Sequence, residues 1–365
     1  MKNIINFFKK NNRHGGVIDS PEDRVKAFIS HWYDQWSKAR IKMSKDVDFD
    51  YWGDLISDVD RTHFVAGSNS GSRNSFGSQA DYDPNIEKIT ECDIQGDVAS
   101  VFTEIYEDAF KSSKYHVYDL EFDTEKGWKI ADISTLFHPP KSPVVDAYKH
   151  AGILSLSISD APFMDREGHI DLNENTLFQA ERNIKIPHLD EGVAKLERIG
   201  KLQISSGVLG ILDFGYDIYN FEPLQRKVKS GDYPVETVMI HDRVAGIRVK
   251  LNESEQPVNW YAANTSSGNG VYGVDAGNLA IFDVGHLMGL SRIKKERIFN
   301  KWCLSGKPEL VSMTSEDDCV ISTSGFGDGA YPAFWGVNGQ DEVVSLYIDF
   351  MILVQETENG LFVSV

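Results

Sequence analysis

Carboxylates dominate the residues that could do chemistry. Six aspartates, Asp46, Asp48, Asp50, Asp54, Asp58 and Asp60, lie in one short stretch with no lysine or arginine among them. The opening Asp46-x-Asp48-x-Asp50 has calcium-loop spacing. The turn glycine is missing, because position 51 is Tyr, and the bidentate acid is missing, because position 57 is Ser. This run is therefore expected to present charge without holding a metal. A second set, Asp119, Glu121, Asp123 and Glu125, alternates with Leu120 and Phe122. A strand would turn those acids to one side and the apolar residues to the core. Such a stripe is either a solvated face or a docking surface for a basic partner. Further along, Asp275 in GVDAG and Asp328 in GFGDG lie in glycine-rich segments suited to tight turns. If the fold joined them across a cleft, the pair could support acid-base or metal-assisted hydrolysis.

Other candidates stand by residue type alone. His31, Tyr33, His63, Tyr106 and His116 could move protons in a pocket, but none has a paired spacing. The serine- and glycine-rich stretch GSNSGSRNSFGS, residues 67–78, reads as a loop in which only Arg73 and Phe76 could anchor a contact. Arg292, Lys294, Lys295, Arg297 and Lys301 form one basic cluster, expected as a solvated helix face.

Which elements would position these groups? Ser20-Pro21-Glu22-Asp23 starts a helix, with a serine cap, proline in the first turn and acids at the positive end of the dipole. Val25, Phe28, Ile29, Trp32, Trp36, Ala39 and Met43 continue it as an apolar stripe. Strands are expected at 86–92, 98–105, 115–122 and 128–133, separated by turns such as Gln95-Gly96-Asp97. Together they predict a cone of curved antiparallel sheet wrapped on the long helix. The proline-rich segment His138-Pro139-Pro140-Lys141-Ser142-Pro143 then ends the sheet.

Beyond it, strands are expected at 153–158, 203–212, 235–240, 243–251, 271–274, 279–282, 319–323 and 343–354. Helices are expected at 188–199 and 284–302. The fold class is α+β throughout, with a terminal extension at 1–19, a first domain at 20–138, a linker at 139–150 and a β-rich second domain at 151–365.

Composition bounds the function classes. The 365-residue chain is 41% hydrophobic and 25% charged, enough for real cores in two domains. Its net charge is −18, shared as −6 before residue 150 and −12 after it. That acidity disfavours nucleic acid and speeds encounter with a basic protein. No apolar run is long enough to span a bilayer and no secretory signal stands out, so a cytoplasmic location is expected. Cys92, Cys303 and Cys319 are an odd, scattered set, expected as reduced thiols without a disulfide or zinc site.

The FISHWYDQW helix, the DYDPNIEKI entry to the sheet and the closing GWKIADIS resemble the nuclear transport factor 2-like fold, and in particular the bacterial immunity proteins built on it. GDYPV at 231–235, RVAGIRV at 243–249, GVDAG, GDGAY at 327–331 and Asp349-Phe350 resemble a bacterial family catalogued as domain of unknown function 4241, over about 150–355. Asp160-Ala161-Pro162 departs from that pattern, and the family carries no established reaction.

The first resemblance implies an immunity protein that neutralises a polymorphic toxin of Rhs or type VI secretion type. The expected partner is a nuclease or ADP-ribosyltransferase toxin. Its contacts are expected among Asp46, Asp48, Asp50, Asp54, Asp58, Arg73, Phe76, Asp119, Glu121, Asp123 and Glu125. No catalytic residue, cofactor or metal is expected, and neither a nucleic-acid nor a membrane partner. The alternatives are a hydrolase, acting on a small substrate or reversing a toxin's modification, and a ligand-binding regulatory or scaffold protein.

Overall fold

The computed structural model describes residues 20–42, 48–68, 76–108, 111–145, 152–156, 163, 172, 177–179, 181–185, 190–216, 221–314, 317–356, 358 and 362–364. The chain divides into two compact units, Met1–Pro140 and Lys141–Val365. Both combine helices with antiparallel sheet, an α+β architecture. No helix among the described residues is long and apolar enough to cross a membrane.

The first unit opens with α1 (Pro21–Lys42), capped by Ser20, whose hydroxyl accepts the Asp23 N–H at 3.1 Å. The aspartate run, assigned no element from sequence, is mostly a second helix, α2 (Phe49–His63). Asp48 caps it by accepting the Tyr51 N–H at 3.0 Å, and Trp52, Ile56, Val59 and His63 form its buried stripe. Four strands follow, β1 (Glu87–Gln95), β2 (Val98–Glu107), β3 (Ser112–Asp123) and β4 (Gly127–Leu136), in the spatial order β1-β2-β3-β4. Helix α1 touches β1, β2 and β4, so one helix meets both edges and the sheet must curl around it. Phe28, Trp32 and Trp52 meet Val101, Tyr118, Leu120 and Ile130 in the core between them.

The second unit stacks two sheets. The larger contains β5 (Arg182–Lys185), β6 (Glu191–Ile204), β8 (Gly231–Ile240), β9 (Arg243–Lys250), β10 (Asn259–Ala262), β15 (Gly329–Val337) and β16 (Val343–Asp349). Their order is β10-β15-β16-β9-β8-β6-β5, with β11 (Val271–Val274) also pairing β15. The smaller sheet orders β13 (Glu309–Val311), β14 (Cys319–Thr323), β12 (Asn278–Asp283) and β7 (Leu209–Leu212). Two-residue periodicity places the layers. Leu279 and Ile281 of β12 face the larger sheet, whereas Ala280 and Phe282 face the helices α3 (Val284–Met288) and α4 (Arg292–Cys303). A short pair, β17 (Val354–Glu356) with β18 (Phe362–Ser364), completes the unit. Val144 and Val145, in the segment read as linker, are buried in the helix-side core, and the Val144 N–H donates to Leu290 O at 2.9 Å.

Three local expectations are corrected. The helix expected at 188–199 is strand from Glu191 onward. Gly192, Ala194 and Leu196 alternate inward against β5 and β8, while Val193 is exposed. The helix expected at 284–302 is two helices, because Gly289 ends α3 and the Ser291 hydroxyl caps α4. The strand expected at 153–158 is a single 3-10 turn, Leu154–Leu156, over its described part.

Candidate functional site

The acidic candidates divide into working and committed groups. Asp46 and Arg73 lie outside the described residues. On α2, Phe49, Asp50, Gly53, Asp54 and Ser57 form the outward face, opposite the buried stripe whose Trp52 packs on Trp32 of α1. Asp50 and Asp54 are exposed and one helical turn apart. Phe49 beside them is 69% exposed. Asp48 is committed as the helix cap. Asp58 pairs with Arg61 one turn on and stands 3.4 Å from His31 Nε2, so it is not a free docking charge.

The β3 stripe is also corrected in part. Leu120 is buried and Glu121 exposed, as alternation requires, yet Phe122 is 39% exposed rather than in the core. Asp119 accepts the Ser100 hydroxyl at 2.7 Å. Asp123 accepts the Glu125 and Lys126 N–H groups at 2.8 and 2.9 Å, and these bonds hold its carboxyl below the usual range. Its charge shapes the β3–β4 turn, which also contains the exposed Glu125.

Glu121 and Asp123 line a cleft of about 570 Å³ with Asp60, Arg61, Lys126 and Lys129. Three cations therefore share the cleft with the acids, and the stripe is not purely negative there. Phe76 is no free anchor either, since its ring packs edge-on against Trp52 at 5.2 Å.

Behind this surface the fold joins histidines that sequence could not pair. His31 Nδ1 lies 3.1 Å from His63 Nε2, and His63 Nδ1 lies 3.3 Å from Arg24 Nη1. Arg24 can only donate, so His63 accepts at Nδ1 and donates from Nε2 to His31. Burial first, then the Arg24 charge, lowers the His63 pKa to about 3.

A testable consequence follows from the sign of that shift. Between about pH 6.5 and 3 the unfolded chain binds a proton at His63 that the folded chain refuses. Stability from this residue is complete above pH 6.5 and falls by about 1.4 kcal/mol per pH unit as pH drops toward 3. Denaturant titrations at pH 7, 6, 5 and 4 should show that slope reduced in His63→Gln; parallel pH dependences in variant and wild type would contradict it.

His116 joins a different group. Its Nδ1 lies 3.0 Å from Glu87 Oε1, which also accepts the Thr103 and Tyr118 hydroxyls at 2.7 and 2.6 Å. Both His116 and Glu87 are enclosed, and the Tyr82 ring stands 5.0 Å from the imidazole. This is a packed polar knot inside the sheet's curl. Tyr33 lies against Trp36, and Tyr106 is exposed.

In the second unit, the register Val274↔Gly329 brings Asp275 and Asp328 to the same end of β11 and β15, both exposed. The positive backbone angles expected of the turn glycines are present at Gly277, Gly325 and Gly327. The turn carboxylate, however, is not Asp275. Asp213 accepts the N–H groups of Asp275 and Ala276 at 2.7 and 2.6 Å, and also the Asn278 amide at 2.7 Å. Asp275 contributes its main chain to this turn.

Among the described residues no group of three or more His, Cys, Asp or Glu side chains is placed to hold a metal ion. The basic cluster is not one solvated face, because Lys295 is buried with its ammonium donating to Tyr216 O at 2.7 Å, while Arg292 donates to Val144 O at 3.3 Å.

No curated protein and no solved structure matches the chain. Residues 202–348 match the family model described as Protein of unknown function (DUF4241), so the second unit carries that family's region, from the end of β6 to β16.

Proposed function

We propose that the protein is a cytoplasmic immunity protein that binds a cognate polymorphic toxin through its first unit and occludes the toxin's working cleft. The observation that carries this reading is the outward face of α2, where a solvent-exposed Phe49 stands beside Asp50 and Asp54 on a helix anchored by Trp52 and Ile56. An exposed aromatic side chain that can enter a desolvated pocket on a partner is the kind of anchor that carries binding energy. The acids would steer a basic partner, and the ring would fill a pocket once docked. The long helix α1 held in a curled antiparallel sheet, with α2 packed on it, supports the nuclear transport factor 2-like immunity reading, and the chain's net charge of −18 supports a cationic partner. Toxins that grip nucleic acid or the pyrophosphate of NAD need such cationic clefts, which favours nuclease and ADP-ribosyltransferase partners.

The test uses surface-immobilised full-length protein and, as purified partner, the C-terminal domain of any large toxin-like reading frame found beside this gene. Phe49→Ala is expected to weaken binding by about 30-fold or more through faster dissociation. The double variant Asp50→Lys, Asp54→Lys is expected to slow association by about tenfold at low salt, with the difference shrinking as salt rises. Unchanged kinetics in both variants would remove α2 from the interface, and no binding by the wild type would remove the immunity reading.

A further inference from the structure

Beyond that binding role, we propose that the second unit carries a serine acyl-transfer site formed by Ser205, His286 and Asp318, directed at small uncharged or cationic carboxylic esters.

The geometry is that of a nucleophile, a base and an orienting acid in series. The Ser205 hydroxyl lies 2.8 Å from His286 Nε2. On the far side of the ring, His286 Nδ1 lies 2.8 Å from Asp318 Oδ2. Exposure grades along the series. Ser205 is exposed, the His286 side chain is 21% exposed, and Asp318 is completely enclosed. A substrate carbonyl can therefore reach the hydroxyl, while the acid stays out of water. The Nδ1 contact is at ion-pair distance but off the axis of a directed N–H bond. Resting sites often hold such contacts loosely and tighten them with substrate.

Three strands and two turns converge to build this arrangement. Ser205 and Ser206 form the turn where β6 ends, His286 lies in α3 just after β12, and Asp318 immediately precedes β14. A second enclosed acid, Asp283, fixes both reacting partners. Its Oδ2 accepts the Ser205 and Ser206 N–H groups at 2.6 and 2.8 Å, and its Oδ1 accepts the His286 N–H at 3.3 Å. Asp318 is held in turn by the Met313 and Thr314 N–H groups at 2.7 and 3.2 Å and by the Thr314 hydroxyl at 2.7 Å. Gly285 lets the pieces close up, because a Cβ there would stand 2.8 Å from Ser206 Cβ and 3.0 Å from Asp283 Oδ1. Asp283 and Asp318 are positioning residues; Ser205 and His286 are the groups that would touch substrate.

The reaction balances with water as the only co-reactant. Ser205 Oγ bonds to the ester carbonyl carbon as its proton passes to His286 Nε2, and Asp318 offsets the imidazolium charge. The tetrahedral adduct then breaks its bond to the leaving oxygen, which takes that proton from Nε2 and departs as the alcohol. Water, losing a proton to Nε2, attacks the acyl-serine. The bond between the acyl carbon and Ser205 Oγ then breaks, Oγ takes the proton back from Nε2, and the carboxylic acid is released.

Substrate class follows from the surroundings. Asp283, bonded to the Ser205 N–H, and Asp318, beside the His286 ring, set two carboxylates next to the nucleophile, which repels anionic acyl groups. The N–H groups of Ser205 and Ser206 are already given to Asp283, so neither is free to stabilise the oxyanion. One such donor is worth about 10² to 10³ in rate. Activated esters should therefore react, and stable amides should not.

The experiment treats the full-length protein with a fluorophosphonate probe and quantifies each modified serine by peptide mass spectrometry. Ser205 is expected to label at least tenfold faster than its neighbour Ser206, and His286→Gln should bring Ser205 down to the Ser206 level. Asp318→Asn should slow the labelling of Ser205 several-fold while leaving Ser206 unchanged, and Asp318→Glu should restore part of the rate. If Asp318→Asn does not fold, the wild type and His286→Gln, checked by thermal melting, decide alone. Equal labelling of Ser205 and Ser206, or labelling unchanged in His286→Gln, would overturn the site and leave the three residues as a structural clip.

Discussion

Asp213→Ala is expected to lower the unfolding free energy of the second unit by about 3 kcal/mol, because it strands three main-chain donors and leaves the Asn278 amide only the Ala276 carbonyl at 3.1 Å. Asp213 Oδ2 takes the Asp275 and Ala276 N–H groups, and its Oδ1 takes the Asn278 amide at 2.7 Å and the Gly215 N–H at 3.1 Å. Asn278, itself fully enclosed, passes the connection on by accepting the Phe214 N–H at 2.9 Å. One carboxylate thus ties the chain leaving β7 to the turn between β11 and β12. An enclosed donor left unpaired costs about 1 to 3 kcal/mol, and water reaching the exposed Asp275 and Ala276 recovers part of that sum. For a unit of this size the melting temperature should fall by roughly 10 °C. Asp213→Asn keeps one acceptor oxygen and should lose about half as much. Differential scanning calorimetry decides the matter: a transition within about 2 °C of wild type in Asp213→Ala would show that the turn stands without its clip.

That clip explains why the turn was legible in the sequence and its chemistry was not. GVDAG announced a positive backbone angle, and Gly277 supplies it. The acid that organises the turn lies more than sixty residues upstream, in a segment with no motif. The same holds for Ser205 and His286, 81 positions apart. Spacing rules register neighbours on one helix or strand, and these groups meet only after two sheets have stacked.

Local elements were legible where one signal dominated. Ser20-Pro21 fixed the start of α1, and Gln95-Gly96-Asp97 fixed the turn between β1 and β2, where Gly96 takes a positive φ of 64°. Legibility failed where two periods coexist. Val193, Leu196 and Ile199 fit a helix, yet Gly192, Ala194 and Leu196 fit a strand, and pairing with β5 and β8 decided between them. In α2 the aspartates masked a helix. Trp52, Ile56, Val59 and His63 have helical spacing, and Asp48 is a good cap, but the charges suggested a surface before an element. Within the docking candidates, Asp50, Asp54, Glu121 and Glu125 are exposed, while Asp48, Asp58, Asp119 and Asp123 are bound by local partners.

Raising the pH from 4 to 7 is expected to destabilise the second unit through Asp349, opposite in sign to the effect of His63 in the first. Asp349 is completely enclosed at the end of β16. Its Oδ1 accepts the Ile352 and Val354 N–H groups at 3.1 and 3.2 Å, and the Tyr347 hydroxyl bonds to Oδ2. These bonds favour the carboxylate, but burial disfavours it more and raises the pKa to about 7. An unfolded aspartate titrates near 3.9. Between the two values the folded chain holds one more proton than the unfolded chain, so stability falls by about 1.4 kcal/mol per pH unit as pH rises. The contribution is complete below pH 4 and is lost by the time pH passes 7, a total of about 4 kcal/mol. Asp349→Asn, which mimics the neutral acid, removes this one titration and leaves every other group in place. The difference in stability between variant and wild type then cancels the first unit and the surface carboxylates. It should rise with pH from 4 to 7 in the variant's favour, by about 4 kcal/mol, and flatten above. A difference independent of pH would mean that Asp349 is ionised in the fold, with the Tyr347 hydroxyl and the two main-chain donors outweighing the cost of its burial.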